Sequence, residues 1–437
     1  MHPGSRRAGV PPALAVLAVV LAGATGFLLR GLPAPPLTAI PGRPLSHRAA
    51  GTPPPAEGSR AGGGGATFGG LCGAVPSVQE ALEGTDLFRD NLEPDLAPWA
   101  ARGFSLQDVL DTRAALAADN DHPDLHFLVE TRNNSLRLLD REGGVCAPGA
   151  CSEMWRQLVE ALGAGAASGR LRLPDTTVIV DVGDDAVCAP GRCAAPVLSV
   201  NRRDGLEDVL VPLFHVPFQV HSAPWARKRA GAFFRGTPFC NGVEHYIAGR
   251  LVNCSRLVLS ELSAAHPALL NVSISEAFTW EGRTWEALEG PPTPPADHAL
   301  YQSVLNLDGY AASSRLGLLL ATNSVVLKQE SVFVEHYYRS LRPCVHFLPI
   351  WREAEEDVLR AAAAVAADPD AAQAVAANAQ AFALLHLNDD AKLHYWEEAL
   401  RRYDALMRRP PGGEAKGRGR GRGTRRRKRE RGGDQPA

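Results

Sequence analysis

Three segments carry residue types that could do chemistry together. Asp184 falls two residues beyond Thr176–Val182, a continuous β-branched run read as a strand buried on both faces. A carboxylate there would project into a crevice outside the strand end and could take the proton of an attacking hydroxyl. The plain alternative is that Asp181, Asp184 and Asp185 are loop acids that turn the chain. Phe233-Phe234-Arg235-Gly236-Thr237 is the second segment, a short strand breaking into a glycine turn. Its guanidinium is a planar fork suited to diphosphate oxygens, and Gly236 allows close backbone approach. The third is Asp308-Gly309-Tyr310-Ala311-Ala312-Ser313-Ser314-Arg315, read as a glycine turn entering a helix. The exposed N–H groups of a helix start attract phosphate, although a serine there can equally be an ordinary cap.

The elements that must position these residues alternate between strand and helix. Strands are expected over Thr176–Val182, Gly231–Phe234, Arg256–Leu259 and Ser324–Leu327, and helices over Ala312–Thr322, Glu353–Leu385 and Ala391–Met407. Such alternation over more than 300 residues argues for α/β architecture with parallel sheets. There is no G-x-S-x-G elbow, Walker loop or G-x-G-x-x-G. The twin Val-Glu-His-Tyr strings at Val243–Tyr246 and Val334–Tyr337 cannot bind metal alone, since adjacent side chains diverge; their histidines read as structural.

Composition bounds the setting. The net charge of −2 conceals a tail, Arg408–Ala437, with twelve Lys/Arg against three acids, so the rest of the chain is acidic. That is not the footprint of a nucleic-acid-binding domain. Arg6 and Arg7 precede an uncharged apolar run, Val10–Leu29, which reads as a signal anchor with a cytoplasmic N-terminus. A cleaved signal peptide is the rival, and both put the body in the secretory lumen. Eight cysteines fit an oxidising compartment. The C-x4-C pairs Cys146–Cys151 and Cys188–Cys193 are expected to bridge locally, with Cys240–Cys254 and Cys72–Cys344 as the remainder. Sequons at Asn133, Asn253 and Asn271 fit a lumenal surface. Gly31–Gly70, rich in Pro and Gly, reads as a disordered stem.

In order and spacing, a longer set of motifs resembles the CAP10-like family, glycosyltransferase family 90. That family includes protein O-glucosyltransferases and fungal capsule xylosyltransferases. The resemblance is carried by Asp95-Leu96-Ala97-Pro98-Trp99, Val180–Asp184, Ala232–Gly236 with Trp225 and Lys228 ahead of it, Leu307–Leu316 and Ser324–Gln329. It continues through Tyr337–Ile350, Asn388-Asp389-Asp390 and Tyr395-Trp396-Glu397. The resemblance implies a GT-B fold, two Rossmann-like domains facing a cleft, preceded here by a membrane anchor and stem. The corresponding organisation is an anchor or signal peptide (1–31), a stem (32–70), an acceptor-side domain (71–222) completed by a final helix (386–407), a nucleotide-sugar domain (223–385) and a basic tail (408–437).

The resemblance further implies an inverting transfer of a sugar, glucose or xylose, from a UDP-sugar to a hydroxyl of a protein or glycan, with no metal or other cofactor. The family's base falls on Asp184, and its donor contacts on Arg235, Gly236, Tyr310, Ala311, Ala312, Ser313, Ser314 and Arg315. Without a metal, guanidinium groups must offset the charge growing on the leaving diphosphate. The expected setting is the lumen of the endoplasmic reticulum or Golgi, as a single-pass type II membrane protein with no nucleic-acid partner. A catalytically inactive, glycan-binding relative is the competing reading. The chain departs from the protein O-glucosyltransferases around the base, where Gly183 and Asp185-Ala186 stand. It departs again at Phe214-His215-Val216-Pro217-Phe218, in place of a tryptophan-rich segment, and at Pro238-Phe239-Cys240, which lacks a basic residue.

Overall fold

The computed structural model describes residues 67–408 apart from 120–124, 142–143, 145–150, 185, 239–244, 248–249, 253, 281–282 and 287–292. The expected anchor, most of the stem and nearly all of the basic tail lie outside these residues, as do Asn253, Cys146 and Cys240. Among the described residues no helix is long and apolar enough to cross a membrane.

Ten strands form two five-stranded sheets. The first holds β1 (His126–Arg132), β2 (Ser135–Leu138), β3 (Thr176–Asp181), β4 (Val197–Ser199) and β5 (Val209–Leu210), in the order β2-β1-β3-β4-β5. β3 runs parallel to β4, and β4 to β5, whereas β1 is antiparallel to both its neighbours. This corrects the expectation of parallel sheets throughout. For β1 and β2 the cause is local: Asn133 and Asn134, at φ 49° and 58°, make the two-residue turn of a hairpin. The strand expected at 176–182 is present, central and almost wholly buried, as an apolar β-branched run requires.

The second sheet is all parallel. β6 (Arg229–Gly236), β7 (Leu270–Ile274), β8 (Tyr301–Asn306), β9 (Val325–Gln329) and β10 (Leu348–Ile350) lie in the order β7-β6-β8-β9-β10. The chain leaves β6 on one side and returns as β8 on the other. Their carboxyl ends therefore flank a topological switch point, where open parallel sheets bind ligands. Lys228, just ahead of β6, donates to Ala299 O, Thr322 O and Ser324 Oγ, and so ties together the opposite end of these strands.

Four local expectations are corrected. Arg256–Leu259 is not a strand but lies near the start of helix Ser255–Ala265; a three-residue apolar run, Leu-Val-Leu, fits either state. The region expected as a helix from Ala312 forms only Leu316–Leu320, and the two serines and Arg315 precede it in a turn closed by Leu316 N–H to Ser313 O. Gly236 ends a strand rather than making a turn. The long stretch 353–385 is two helices, Asp357–Ala367 and Pro369–His386, broken where Asp368 caps Ala371 N–H and Pro369 takes the first helical position.

The last helix, Asp389–Leu406, is capped by Asn388 and returns to the first sheet. Its Leu393, Trp396, Leu400 and Tyr403 share a core with Phe127, Ile179 and Leu198. Met407–Arg408 pairs in parallel with Phe104–Ser105. The same core takes in Val304 and Val326 from the second sheet and Leu316 from the helix between them, so apolar packing is continuous between the two sheets. An ion triad centred on buried Asp95 adds to it: Asp95 accepts from Arg202 at 2.7 Å, from the partly exposed Arg339 at 2.8 Å and from Leu210 N–H at 3.0 Å. Disulfides join Cys188 to Cys193 and Cys72 to Cys344, as expected. Cys151 and Cys254 are also disulfide-bonded.

Candidate active site

The turn that carries Asp184 is built by the strand end before it. Asp181, buried, accepts Gly183 N–H at 2.8 Å, and Asn201 Nδ2 donates to Gly183 O at 3.1 Å. A Cβ on Gly183 would lie 3.0 Å from Asp181 Oδ1, so glycine suits the turn. Asp184 itself is exposed. It lines a cavity of about 470 Å³ with Arg235, Gly236, Thr237, Arg256 and the whole segment Gly309–Arg315. It also lines a second cavity of about 110 Å³ formed over the carboxyl ends of β3, β4 and β5. Ala312 and Ser314 border both. Every sequence-predicted site residue is thus brought together around the larger cavity, with Tyr310 at its rim, 53% exposed.

Arginines dominate the larger cavity, and hydrogen-bond accounting separates their roles. Arg256, nine-tenths or more buried, spends its guanidinium on Asp308 O, Thr237 O, Thr237 Oγ1 and Leu307 O. It stitches the ends of β6 and β8 together across the switch point. Burial and the neighbouring Arg315 charge push its pKa down to about 9, which still leaves it cationic at neutral pH. Arg235 donates to Phe234 O, to Asn271 O and to Asn271 Oδ1, so part of its fork is also committed. Arg315 makes one such bond, Nη1 to Arg235 O at 2.7 Å, leaving most of its five donors for a ligand. Its guanidinium and that of Arg256 lie 5.0 and 5.4 Å from the Phe234 ring centroid, and Arg235 lies 4.7 Å from that of Phe233. Gly236 makes room for this: a Cβ there would meet Arg315 Nη2 and Phe234 Cζ, each at 2.9 Å.

Asn271 is a correction. As a sequon it suggested a glycan on the surface, but it lies half-buried on β7, donating to Tyr301 Oη while its carbonyl holds Arg235. Its amide is engaged in the site. Asn133, at the β1–β2 turn, is exposed. The helix-start argument for phosphate at 308–315 falls with the shortened helix.

Arg256, Asn271, Glu335 and Lys392 had no role in the site on sequence grounds. Arg256 was hidden by the strand reading of its segment. Glu335 and Lys392 both border the smaller cavity from elements far apart in sequence, which no spacing rule joins. Burial pushes the Glu335 carboxyl up to about 8 and lowers the Lys392 ammonium. Asp308 is likewise pushed up to about 6 by burial, against the pull of Ser331, Lys328 and Arg256. Among the described residues no group of three or more His, Cys, Asp or Glu side chains is placed to hold a metal ion.

The arrangement defines an α/β protein whose two sheets turn the ends of their parallel strands toward a common, arginine-lined crevice. Residues 199–417 match glycosyl transferase family 90, and the chain belongs to that family. It is 27% identical over 260 residues to protein O-glucosyltransferase 2 of Danio rerio, covering 54% of this chain and 49% of that protein. Human protein O-glucosyltransferase 1 is 25% identical over 298 residues, 62% of this chain and 70% of the relative. Human protein O-glucosyltransferase 3 is 29% identical over 179 residues, 41% and 32% of the two chains. The chain thus spans about half the length of the zebrafish relative.

Proposed function

We propose that the protein is an inverting, metal-independent glycosyltransferase. It moves glucose or xylose from a UDP-sugar to a hydroxyl of a protein or glycan in the lumen of the endoplasmic reticulum or Golgi. In this reading the two sheets are the cores of two GT-B domains, residues 71–222 with 386–407 on the acceptor side and 223–385 on the donor side. Residues 1–31 hold the protein in the membrane. The observation that carries the reading is the position of Asp184, the carboxylate common to both cavities and facing the arginine cluster from the opposite sheet.

The chemistry follows from that placement. Arg315, with the charges of Arg235 and Arg256 behind it, holds the diphosphate and offsets the charge it gains as the glycosidic bond breaks. Ser313 and Ser314 offer hydroxyls beside it, and Tyr310 stands at the rim where the nucleoside would enter. Asp184 takes the proton of the acceptor hydroxyl as its oxygen attacks the anomeric carbon from the face opposite the diphosphate, which inverts the configuration.

The test is UDP release from UDP-glucose and UDP-xylose in excess chelator, with and without glycoprotein acceptor. Turnover of either donor under chelation is the expected result. Activity that returns only with manganese would overturn the metal-independent step. No UDP release from either donor under any condition would overturn the transferase reading.

A further inference from the structure

The smaller cavity holds more unsatisfied polar chemistry than a structural void would. Protein cavities that stay empty are apolar, and buried polar atoms almost always find partners. Here three atoms on the cavity wall have none from the protein: Asn201 Oδ1, His215 Nδ1 and His336 Nε2. Asn201 and His336 are 6% and 4% exposed. Glu335 and the nearly buried Lys392 complete the polar lining. Five residues from four separate segments therefore border about 110 Å³, three of them with a polar atom that no protein group satisfies. Burial keeps both imidazoles neutral, that of His336 lowered to about 3 and that of His215 lowered also by the Lys392 charge. Each neutral ring presents one donor and one acceptor nitrogen.

A ligand matched to such a wall is small, uncharged and dense in hydroxyls, each able to donate and accept. The cavity meets the arginine cavity at Asp184, Ala312 and Ser314, which is where a sugar esterified to a diphosphate would project. A macromolecular acceptor could place little more than one hydroxyl in so small a space. We propose that the smaller cavity seats the transferred sugar, and that Asn201, His215, Glu335, His336 and Lys392 read its hydroxyls and so set donor choice. The assignment rests on the transferase reading above.

The test separates the sugar from the nucleotide. His215→Ala removes a half-buried loop side chain, and His336→Phe keeps a ring packed edge-to-face against Tyr337 and Tyr395 while deleting its nitrogens. Calorimetric Kd for UDP alone should stay within about threefold of wild type, while kcat/KM for UDP-glucose hydrolysis falls about tenfold, the scale of one or two lost hydrogen bonds. The preference between UDP-glucose and UDP-xylose should shift as well. Unchanged kcat/KM for both donors, or an equal loss of affinity for UDP itself, would overturn the assignment. So would a change confined to acceptor KM with donor hydrolysis intact. Should His336→Phe fail to fold, His215→Ala alone carries the same outcomes. Wild-type protein that releases no UDP from either donor refutes the transferase reading, and the assignment with it. An active wild type with unaffected variants refutes the assignment alone.

Discussion

Gly236→Ala is the most informative single change, because one methyl group tests the arginine geometry without touching a charge. Gly236 ends β6, and its Cβ would lie 2.9 Å from both Phe234 Cζ and Arg315 Nη2. Phe234 is fully buried beneath two guanidinium groups and cannot yield cheaply. The free end of Arg315 therefore moves, and its 2.7 Å bond to Arg235 O is strained. Complete loss of an arginine fork to phosphate costs roughly 1.5–3 kcal/mol, or about 10- to 150-fold in Kd. Arg315→Ala should reach that range for UDP measured by calorimetry. Gly236→Ala should cost part of it, about 1–2 kcal/mol, because the charge stays while its alignment is lost. The double variant should bind UDP no worse than Arg315→Ala alone, since both changes act through one group. Additive losses, or a Gly236→Ala protein that binds UDP like wild type, would refute the placement of Arg315 as the principal phosphate ligand.

Asp184→Asn should lower transfer by roughly 10²–10⁴-fold while UDP affinity stays within a few-fold; full activity would place the base elsewhere. Asp95→Asn should destabilise the fold by about 3–5 kcal/mol, read from denaturant melts, because two arginines are left facing a neutral amide. Asp308 has a folded pKa near 6 against an ordinary 3.8, so the folded protein keeps a proton that the unfolded chain has released between those values. Stability should therefore fall by up to roughly 3 kcal/mol as pH rises from about 4 to 6, and Asp308→Asn should flatten that decline in melts taken across the window.

Much of the scaffold was legible because its signals are local. The β-branched run at 176–182 read as a buried strand, and the acid two residues beyond its end stood out as a candidate from that, although only the family resemblance gave it the role of base. Ser255–Ala265 was not legible as a helix, because Leu-Val-Leu fits either state until tertiary contacts decide; with it went Arg256. The break at Asp368-Pro369 was written in plain cap-and-proline terms and was overlooked amid alanines. The motif residues Asp95, Lys228 and Arg339 carried the family resemblance, yet they brace the scaffold rather than touch the crevice. The smaller cavity was invisible for a different reason. Its wall is assembled from strand ends, a loop and the returning helix, and no periodicity links them.

The arginines of the larger cavity come from β6 and from the segments that connect the strands of the second sheet, and they are braced there, whereas Asp184 follows a strand of the first. Damage to the two halves should therefore leave different signatures in a mutant collection. Lesions in β6–β8 would be caught by any screen for nucleotide capture. Lesions in the first sheet, or in the Asp95 triad that locks it to the Arg339 segment, would pass that screen and fail only when product is counted. Loss-of-function variants sorted by UDP retention would thus trace the boundary between the sheets without any further structure.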